Sequence, residues 1–281
     1  MKMIKKVRAP VRIDFAGGTT DIFPFTHTYG GAVLNATINR YVEGKIIKTD
    51  KKTHLEYTGN TPTSSGLGTS GVMNVVWLAL ISNTKDKFKL AEQVYDMEQA
   101  LKGVGGKQDQ YATCFGGINF LEFKKDKVFR TPVKLSPNFI EELENNLVLV
   151  YTGLPHYATN ANKSMIDNIK RGRHVQNLLR IKSVAIAMRK ALLNKDLVSF
   201  SSLMNEETRN RRLLAKNILP PGAEKLMEIG FNNGASGAKI CGSGNGGSIL
   251  FFGNKKKLKK KFKKSVIDFK FDFEGLKVWE D

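Results

Sequence analysis

The sequence predicts an α+β protein built from two halves. Segments rich in Val, Ile and Thr alternate along the 281 residues with segments whose apolar residues recur at helical spacing. Several of the 26 glycines are concentrated in three short segments, which is typical of proteins that hold phosphate groups. With 41% hydrophobic and 25% charged residues, the composition is that of a folded protein and not of a disordered chain.

The first half, residues 1–146, is predicted to hold strands, then helices, then a hairpin. The predicted strands cover residues 7–16, 31–38, 41–49 and 53–57, and the hairpin covers 118–123 and 128–133. The apolar spacing predicts helices over residues 69–83, 90–101 and 108–115.

The second half, residues 147–281, begins after an apparent seam at Asn145–Asn146. Helices are predicted within residues 160–204 and over 223–232, and a glycine-rich stretch follows at 234–247. Strands are predicted over 147–151, 248–252 and near 274–279, with a lysine-coated helix at 255–264.

The net charge of +19 allows a nucleic-acid or anionic-membrane partner. Lysines are spread over most of the chain, and the densest run is interrupted by Leu258 and Phe262, which would share one helix face. We therefore favour a solvated amphipathic helix there over a nucleic-acid-binding arm, and expect no membrane partner. The positive field would help to draw in phosphate-bearing small molecules.

The two cysteines, Cys114 and Cys241, build neither a disulfide framework nor a zinc site. The basic N-terminus leads into a strand-like stretch and not into the apolar core of a signal peptide. We expect a cytoplasmic protein.

A first glycine loop, residues 62–71, joins the early strands to a long apolar helix. Glycines bring backbone N–H groups close to a phosphate, and the helix adds the positive end of its dipole. Thr69 and Ser70 offer hydroxyl groups to phosphate oxygens or to Mg²⁺. The loop is not a Walker A motif, and taken alone it is better interpreted as an ordinary glycine turn with an N-cap.

An acidic pair, Glu98 and Asp109, lies eleven residues apart. One carboxylate could hold Mg²⁺ while the other accepts the proton of an attacking hydroxyl. The alternatives are a solvated helix position for Glu98 and a favourable helix N-terminal charge for Asp109. Arg12 could steady a transferring phosphoryl group, and Asp21, after a Gly-Gly turn, could accept hydrogen bonds from sugar hydroxyls. A surface strand and an Asx turn are the simpler interpretations.

Three motifs in order make the chain resemble the GHMP kinases, the family of galactokinase, homoserine kinase, mevalonate kinase and phosphomevalonate kinase. They are residues 9–12 with Asp21, the first glycine loop, and a second glycine loop at residues 237–247. The resemblance implies an ATP-dependent sugar kinase with a ribosomal S5 domain 2-like N-terminal half and a ferredoxin-like C-terminal half. It allows a homodimer.

The resemblance also implies a role for each matching position. Asp109 is the catalytic aspartate with Arg12 beside it, and Ser70 and Glu98 hold Mg²⁺. Substrate binding falls to Asp21, Gly18 and Thr20. ATP binding falls to Ser65, Gly66, Leu67, Gly68, Thr69, Ser70, Gly242 and Gly244.

Two positions depart from the family pattern: Ser64 stands where the first loop usually begins with glycine, and Asn245 replaces a glycine of the second loop. Asn tolerates left-handed backbone, so the second turn is expected to survive. Stretches at 15–21 and 108–112 resemble heptose-phosphate kinases, which implies a heptose 7-phosphate substrate.

That subgroup often has an arginine soon after Tyr151-Thr152-Gly153, whereas residues 154–157 here read Leu-Pro-His-Tyr. A galactose- or fucose-like sugar therefore stays open. So do two other interpretations, a basic RNA-binding protein on a related fold and an inactive sensor.

Overall fold

Two antiparallel sheets, each built mainly from one half of the chain, form the frame of the protein. The computed structural model describes residues 3–62, 64–101, 105–154, 158–216, 218–242 and 244–280. Single positions of the two glycine loops, 63 and 243, and residues 155–157 of the 154–157 segment therefore lie outside the described residues. Within these ranges no helix is long and apolar enough to cross a membrane.

The strands are β1 Met3–Ala16, β2 Gly31–Lys48, β3 Thr53–Gly59, β4 Ile118–Lys124, β5 Lys127–Pro132, β6 Leu147–Tyr151, β7 Ala235–Ile240, β8 Ser248–Gly253, β9 Val266–Ile267 and β10 Lys277–Glu280. The helices are α1 Phe25–Thr28, α2 Thr69–Ile81, α3 Lys87–Ala100, α4 Gln108–Phe115, α5 Pro137–Asn146, α6 Ala158–Lys170, α7 Val175–Leu193, α8 Leu197–Arg212, α9 Pro221–Phe231 and α10 Lys255–Phe262.

The first sheet has the order β10-β1-β2-β4-β5, with β3 paired to β2. Strand β2 runs without a break where the sequence predicts two strands, and that expectation is wrong. The register of β1 against β2 shifts between Pro10 and Val11, which pair with Tyr41 and Ile38, so this irregularity accommodates the two polar residues between them. Polar residues in a strand therefore marked a bulge and not an end.

The second sheet has the order β7-β8-β6-β9. The predicted helical region 160–204 is three helices, because Gly172 takes a left-handed backbone and Asp196 caps α8 by accepting from the Ser199 N–H at 2.9 Å. The predicted helix at 255–264 ends at Phe262, and its apolar face is buried as expected through Leu258 and Phe262.

Helices α1 and α5 and strands β7 and β9 were not predicted. Helix α5 had a readable signal, since Pro137 follows Ser136 at its first position. Strand β7 was hidden in the glycine-rich stretch, and its pairing with β8 forms it.

The two halves are closely joined. The last strand, β10, pairs with β1 and so belongs to the first sheet, although it lies in the predicted second half. Helix α7 packs against β2, and the Phe15 ring meets the Phe200 ring edge-on with centroids 5.4 Å apart. The division into 1–146 and 147–281 stays a prediction about the chain, with β10 crossing it.

Candidate active site

The first glycine loop leads directly into α2, as predicted. Gly68 is the helix N-cap with a left-handed φ of 75°, and Thr69 and Ser70 form the first turn. No acidic residue stands in that turn, so the N–H groups at this helix end face no competing side-chain carboxylate of their own helix. Ser64 has a φ of 55°, so it keeps the left-handed backbone that glycine adopts without strain.

The two glycine loops touch each other through their backbones. A Cβ atom placed on Gly66 would lie 2.8 Å from the carbonyl oxygen of Cys241, and one placed on Gly242 would lie 2.8 Å from the carbonyl oxygen of Gly66. These approaches require glycine, so the second loop braces the first. Gly244 instead packs against Ile218, and Asn245 keeps the turn with a φ of 62°.

Two members of the first loop face inward. Leu67 is fully buried in the core, so only its backbone could meet a nucleotide. Ser65 is 1% exposed, and its Oγ makes no hydrogen bond within the described residues. A buried hydroxyl without a partner fits a loop that receives a phosphate oxygen.

Asp109 and Arg12 form an ion pair beside the first glycine loop. Arg12 on β1 donates from Nε to Asp109 Oδ1 at 2.7 Å and from a terminal nitrogen to the carbonyl of Gly66 at 2.9 Å. Burial opposes the charge of Arg12, but the Asp109 and Asp14 carboxylates raise its pKa above the ordinary value. A guanidinium held in this way orients Asp109 at the start of α4.

Glycines leave room for the Asp109 carboxylate. A Cβ on Gly68 would lie 3.0 Å from Asp109 Cγ, and a Cβ on Gly71 would lie 2.9 Å from Asp109 Cβ. The Asp109 side chain is 25% exposed. The predicted base therefore lies at the N-terminal end of α2 and is open to a substrate.

Glu98 lies on α3 with both carboxylate oxygens engaged by neutral amides. Asn74 donates to Oε1 at 2.8 Å and Gln110 donates to Oε2 at 2.6 Å. Burial raises the pKa of Glu98, the charge of Asp109 adds to that rise, and the two amides oppose it. The two amides thus hold the carboxylate in one orientation, and neither of them carries a positive charge.

These residues fit a magnesium ion bound together with a nucleotide. Ser70 precedes Asn74 by four residues, so it shares the α2 face that meets Glu98. Mg²⁺ keeps several waters and takes few protein oxygens. Among the described residues no group of three or more His, Cys, Asp or Glu side chains could hold a metal. A hydroxyl, one carboxylate and substrate phosphates are the matching donor set.

Asp21 is a buried carboxylate that lies near Asp109. Its Oδ2 accepts the backbone N–H of Gln108 at 3.1 Å, and a Cβ on Gly106 would lie 1.9 Å from the same oxygen. Burial raises the pKa of Asp21 to about 6, and the Asp109 charge contributes in the same direction. Asp21 is therefore an acceptor whose charge changes near pH 6.

Thr20, the second residue of the predicted substrate-binding pair with Gly18, is turned into the protein. Thr20 is fully buried, and its hydroxyl donates to the Gly17 carbonyl at 2.7 Å while accepting from the Ala32 N–H at 3.1 Å. It fixes the turn to β2. Gly18 is also buried, and a Cβ there would lie 2.4 Å from Asp14 Oδ2, so any contact with substrate must come from its backbone.

Sequence reasoning missed several residues around the predicted ones. Asn74 and Gln110 hold Glu98. Asp14, whose charge acts on Arg12, accepts from Lys239 at 3.0 Å, and the side chains of Asp14 and Lys239 are fully buried. Asn74 and Gln110 carry no distinguishing signal, because polar residues on helices are common. Lys239 had one, since it stands in an otherwise apolar run before Cys241.

Comparison with known proteins points to one family. The chain matches the sequence profiles of the GHMP kinases N terminal domain over residues 32–117 and GHMP kinases C terminal over residues 188–269. It is 30% identical to the D-glycero-alpha-D-manno-heptose 7-phosphate kinase of Campylobacter jejuni, over 99% of both chains.

Two further proteins extend the comparison. The chain is 26% identical to the bifunctional fucokinase/GDP-fucose pyrophosphorylase of Arabidopsis thaliana, covering 87% of this chain and 29% of that protein. The crystal structure of a D-glycero-D-manno-heptose 1-phosphate kinase from Bacteroides thetaiotaomicron superposes with a TM-score of 0.78 at 24% identity, over 98% of both chains. At that identity the likeness shows the fold.

Proposed function

Because this chain belongs to the GHMP kinases, we propose that it transfers the γ-phosphoryl group of ATP to a hydroxyl of a heptose 7-phosphate. The predicted family, the two-domain α+β fold and the phosphotransferase class are confirmed by the comparisons. The observation that carries the proposal is the position of Asp109, paired with Arg12 and set against the first glycine loop.

Asp109 accepts the proton of the attacking hydroxyl in this proposal. Arg12 keeps the carboxylate turned toward the loop and places positive charge near the transferring group. The backbone N–H groups of the first glycine loop and of the α2 N-terminus hold the phosphates. Ser70 and Glu98 would hold a Mg²⁺ ion bound with ATP, which would supply positive charge to the phosphate oxygens.

Asp21 supplies recognition of the sugar. Its buried carboxylate, already receiving one backbone N–H, has further acceptor capacity for hydroxyl groups. A buried acceptor of this kind discriminates strongly against analogues that lack the matching hydroxyl, because it is then left unpaired.

The phosphorylated substrate is proposed from the similarity to the Campylobacter jejuni protein. The second candidate is a free fucose- or galactose-like sugar. It is favoured by the similarity to the Arabidopsis thaliana fucokinase and by the absence of arginine in residues 154–157, most of which lie outside the described residues.

Release of ADP should be measured against heptose 7-phosphate, heptose 1-phosphate, free heptose, fucose and galactose, with phosphosugar product identified by mass. The proposal expects the highest kcat/KM with heptose 7-phosphate. Preference for a free sugar would replace the substrate but keep the reaction. Absence of turnover with every sugar, together with strongly salt-dependent RNA binding, would overturn the kinase.

Activity should depend on the charge of Asp21. Its pKa of about 6 in the fold exceeds the ordinary value, so its contribution to stability is full below about pH 4 and is lost as pH rises through 6. The fraction of Asp21 in the ionised form, which sugar binding needs, increases over the same pH interval. We expect kcat/KM for the sugar to rise with pH through about 6.

In Asp21→Asn that rise should disappear and kcat/KM for the sugar should be low at every pH. Asp96→Asn, an exposed carboxylate on α3, is the matched control and should keep the wild-type profile. An unchanged rise near pH 6 in Asp21→Asn would assign the titration to another group.

A further inference from the structure

Arg211 of α8 reaches out of the second half into the turn that carries Asp21. The Arg211 side chain is fully buried. Its Nη2 donates to the carbonyl of Gly18 at 2.8 Å and its Nη1 donates to Thr19 Oγ1 at 3.2 Å. Its Nε donates to Glu207, one helical turn earlier, at 2.8 Å. We call residues 17–21 the substrate turn.

The substrate turn is strained where Arg211 holds it. Thr19 has a φ of 79°, a left-handed conformation that β-branched residues avoid. Such strain persists only where surrounding contacts over-determine the backbone. Arg211 contacts the carbonyl of Gly18, the residue before Thr19, and also the Thr19 side chain. It is therefore placed to maintain this conformation.

The helix that carries Arg211 also holds the strand before the second glycine loop. Thr208 donates from its hydroxyl to the Ala238 carbonyl at 2.8 Å, and the Ala238 N–H donates to Asn205 Oδ1 at 3.1 Å. Strand β7 then runs into Cys241 and Gly242, which meet Gly66 of the first glycine loop. One unit, α8 with β7, therefore contacts both the acceptor side and the phosphate side of the site.

A buried ion pair is weak support for stability by itself, because removing two charges from water costs about as much as their attraction returns. The Arg211–Glu207 pair is fully buried, and Lys239 lies 3.8 Å from the same Glu207 oxygen. An apolar contact would join the two halves at less cost. The directed hydrogen bonds to the substrate turn are what an apolar residue could not supply.

We propose that Arg211 is a positioning residue that fixes the substrate turn to the unit bracing the first glycine loop, and so sets the sugar hydroxyl relative to the ATP phosphates. The inference rests on the proposed kinase activity. Misplacement of reacting groups by about 1 Å can cost about a hundredfold in rate. Loss of Arg211 should therefore act on the sugar and on transfer, and not on ATP binding.

The test is the charge-neutral double variant Glu207→Gln/Arg211→Met, with Arg212→Met as control. Arg212 is the next residue, but it is 52% exposed and pairs with Glu224 on the surface. We expect the double variant to raise the sugar KM by tenfold or more, to lower kcat, and to leave the KM for ATP within about twofold. ADP released per phosphosugar formed should rise. Arg212→Met should match wild type. Equal effects on both KM values, or none, would overturn the proposal.

Thr19→Val provides a second route if the double variant does not fold, because it removes only the hydroxyl that Arg211 contacts. Thr19→Val should also raise the sugar KM, and an unchanged sugar KM would count against the positioning role of Arg211. Amide exchange of residues 17–21 separates this inference from the kinase proposal. If residues 17–21 exchange faster in the double variant than in Arg212→Met, the positioning role of Arg211 is supported even if no tested sugar is phosphorylated. Unchanged exchange refutes that role.

Discussion

Asp109→Asn is expected to lower kcat for phosphoryl transfer by about 10²- to 10⁴-fold while the protein folds and binds ATP normally. The amide has the shape of the carboxylate and can still accept the Arg12 Nε–H, so the contact observed at 2.7 Å can persist. It cannot take the proton of the attacking hydroxyl. The measurement is steady-state turnover with the preferred sugar, with ATP binding followed by calorimetry.

A stability measurement and a control variant distinguish loss of the base from misfolding of the protein. The melting temperature should stay near that of wild type, because Arg12 keeps its second bond to the Gly66 carbonyl. Glu92→Gln is unsuitable as a control, since Glu92 accepts from both Lys107 and Tyr111, whereas Asp96→Asn changes only an exposed side chain. Near-wild-type turnover in Asp109→Asn would remove Asp109 from the role of base.

Glu98→Gln is expected to cost on the order of a hundredfold in kcat/KM at limiting Mg²⁺, since the metal supplies several kcal/mol of charge stabilisation during transfer. The Gln side chain also brings an NH₂ group against the donors of Asn74 and Gln110, which now serve two carboxylate oxygens. One of those hydrogen bonds is lost, and the remaining oxygen is turned away from its former direction. Titration of activity with Mg²⁺ is the measurement.

The signature of Glu98→Gln is a higher Mg²⁺ requirement, with a loss of stability of about 1–3 kcal/mol that comes from the one lost hydrogen bond. Because burial raises the pKa of Glu98, the fold already disfavours its charged form, so the neutral side chain adds no electrostatic cost. Recovery of activity at high Mg²⁺ is expected. A loss that no Mg²⁺ concentration relieves, with an unchanged Mg²⁺ midpoint, would contradict the role of Glu98 as a metal ligand.

Local pattern was enough wherever one segment makes its own structure. The α2 start at Thr69 follows from the glycines before it, and α4 has the predicted bounds Gln108–Phe115. Local pattern did not predict which strands pair with each other. The sequence predicts two strands separated by the polar residues Asn39 and Arg40, and only the shifted register of β1 shows that these residues belong to one continuous strand.

The candidate site divides in the same way. Asp109, Glu98 and Arg12 were named from residue type and motif, and the structure brings Arg12 to Asp109. The family resemblance assigns Thr20 to the substrate together with its neighbour Asp21, but the Thr20 hydroxyl turns inward to β2. Neighbours in sequence point in different directions around a turn, so adjacency to a site residue does not decide the direction of a side chain.

Local sequence was sufficient to identify the family and most of the element order, and to name candidate site residues, because glycine loops and the helix that follows them are local features with a direct physical cause. Tertiary structure alone decided how those pieces are held. The contact of Gly242 with Gly66, the amides on Glu98 and the grip of Arg211 on Thr19 join residues far apart in the chain. Such contacts depend on packing between elements, and no local pattern encodes which distant side chain will fill the space.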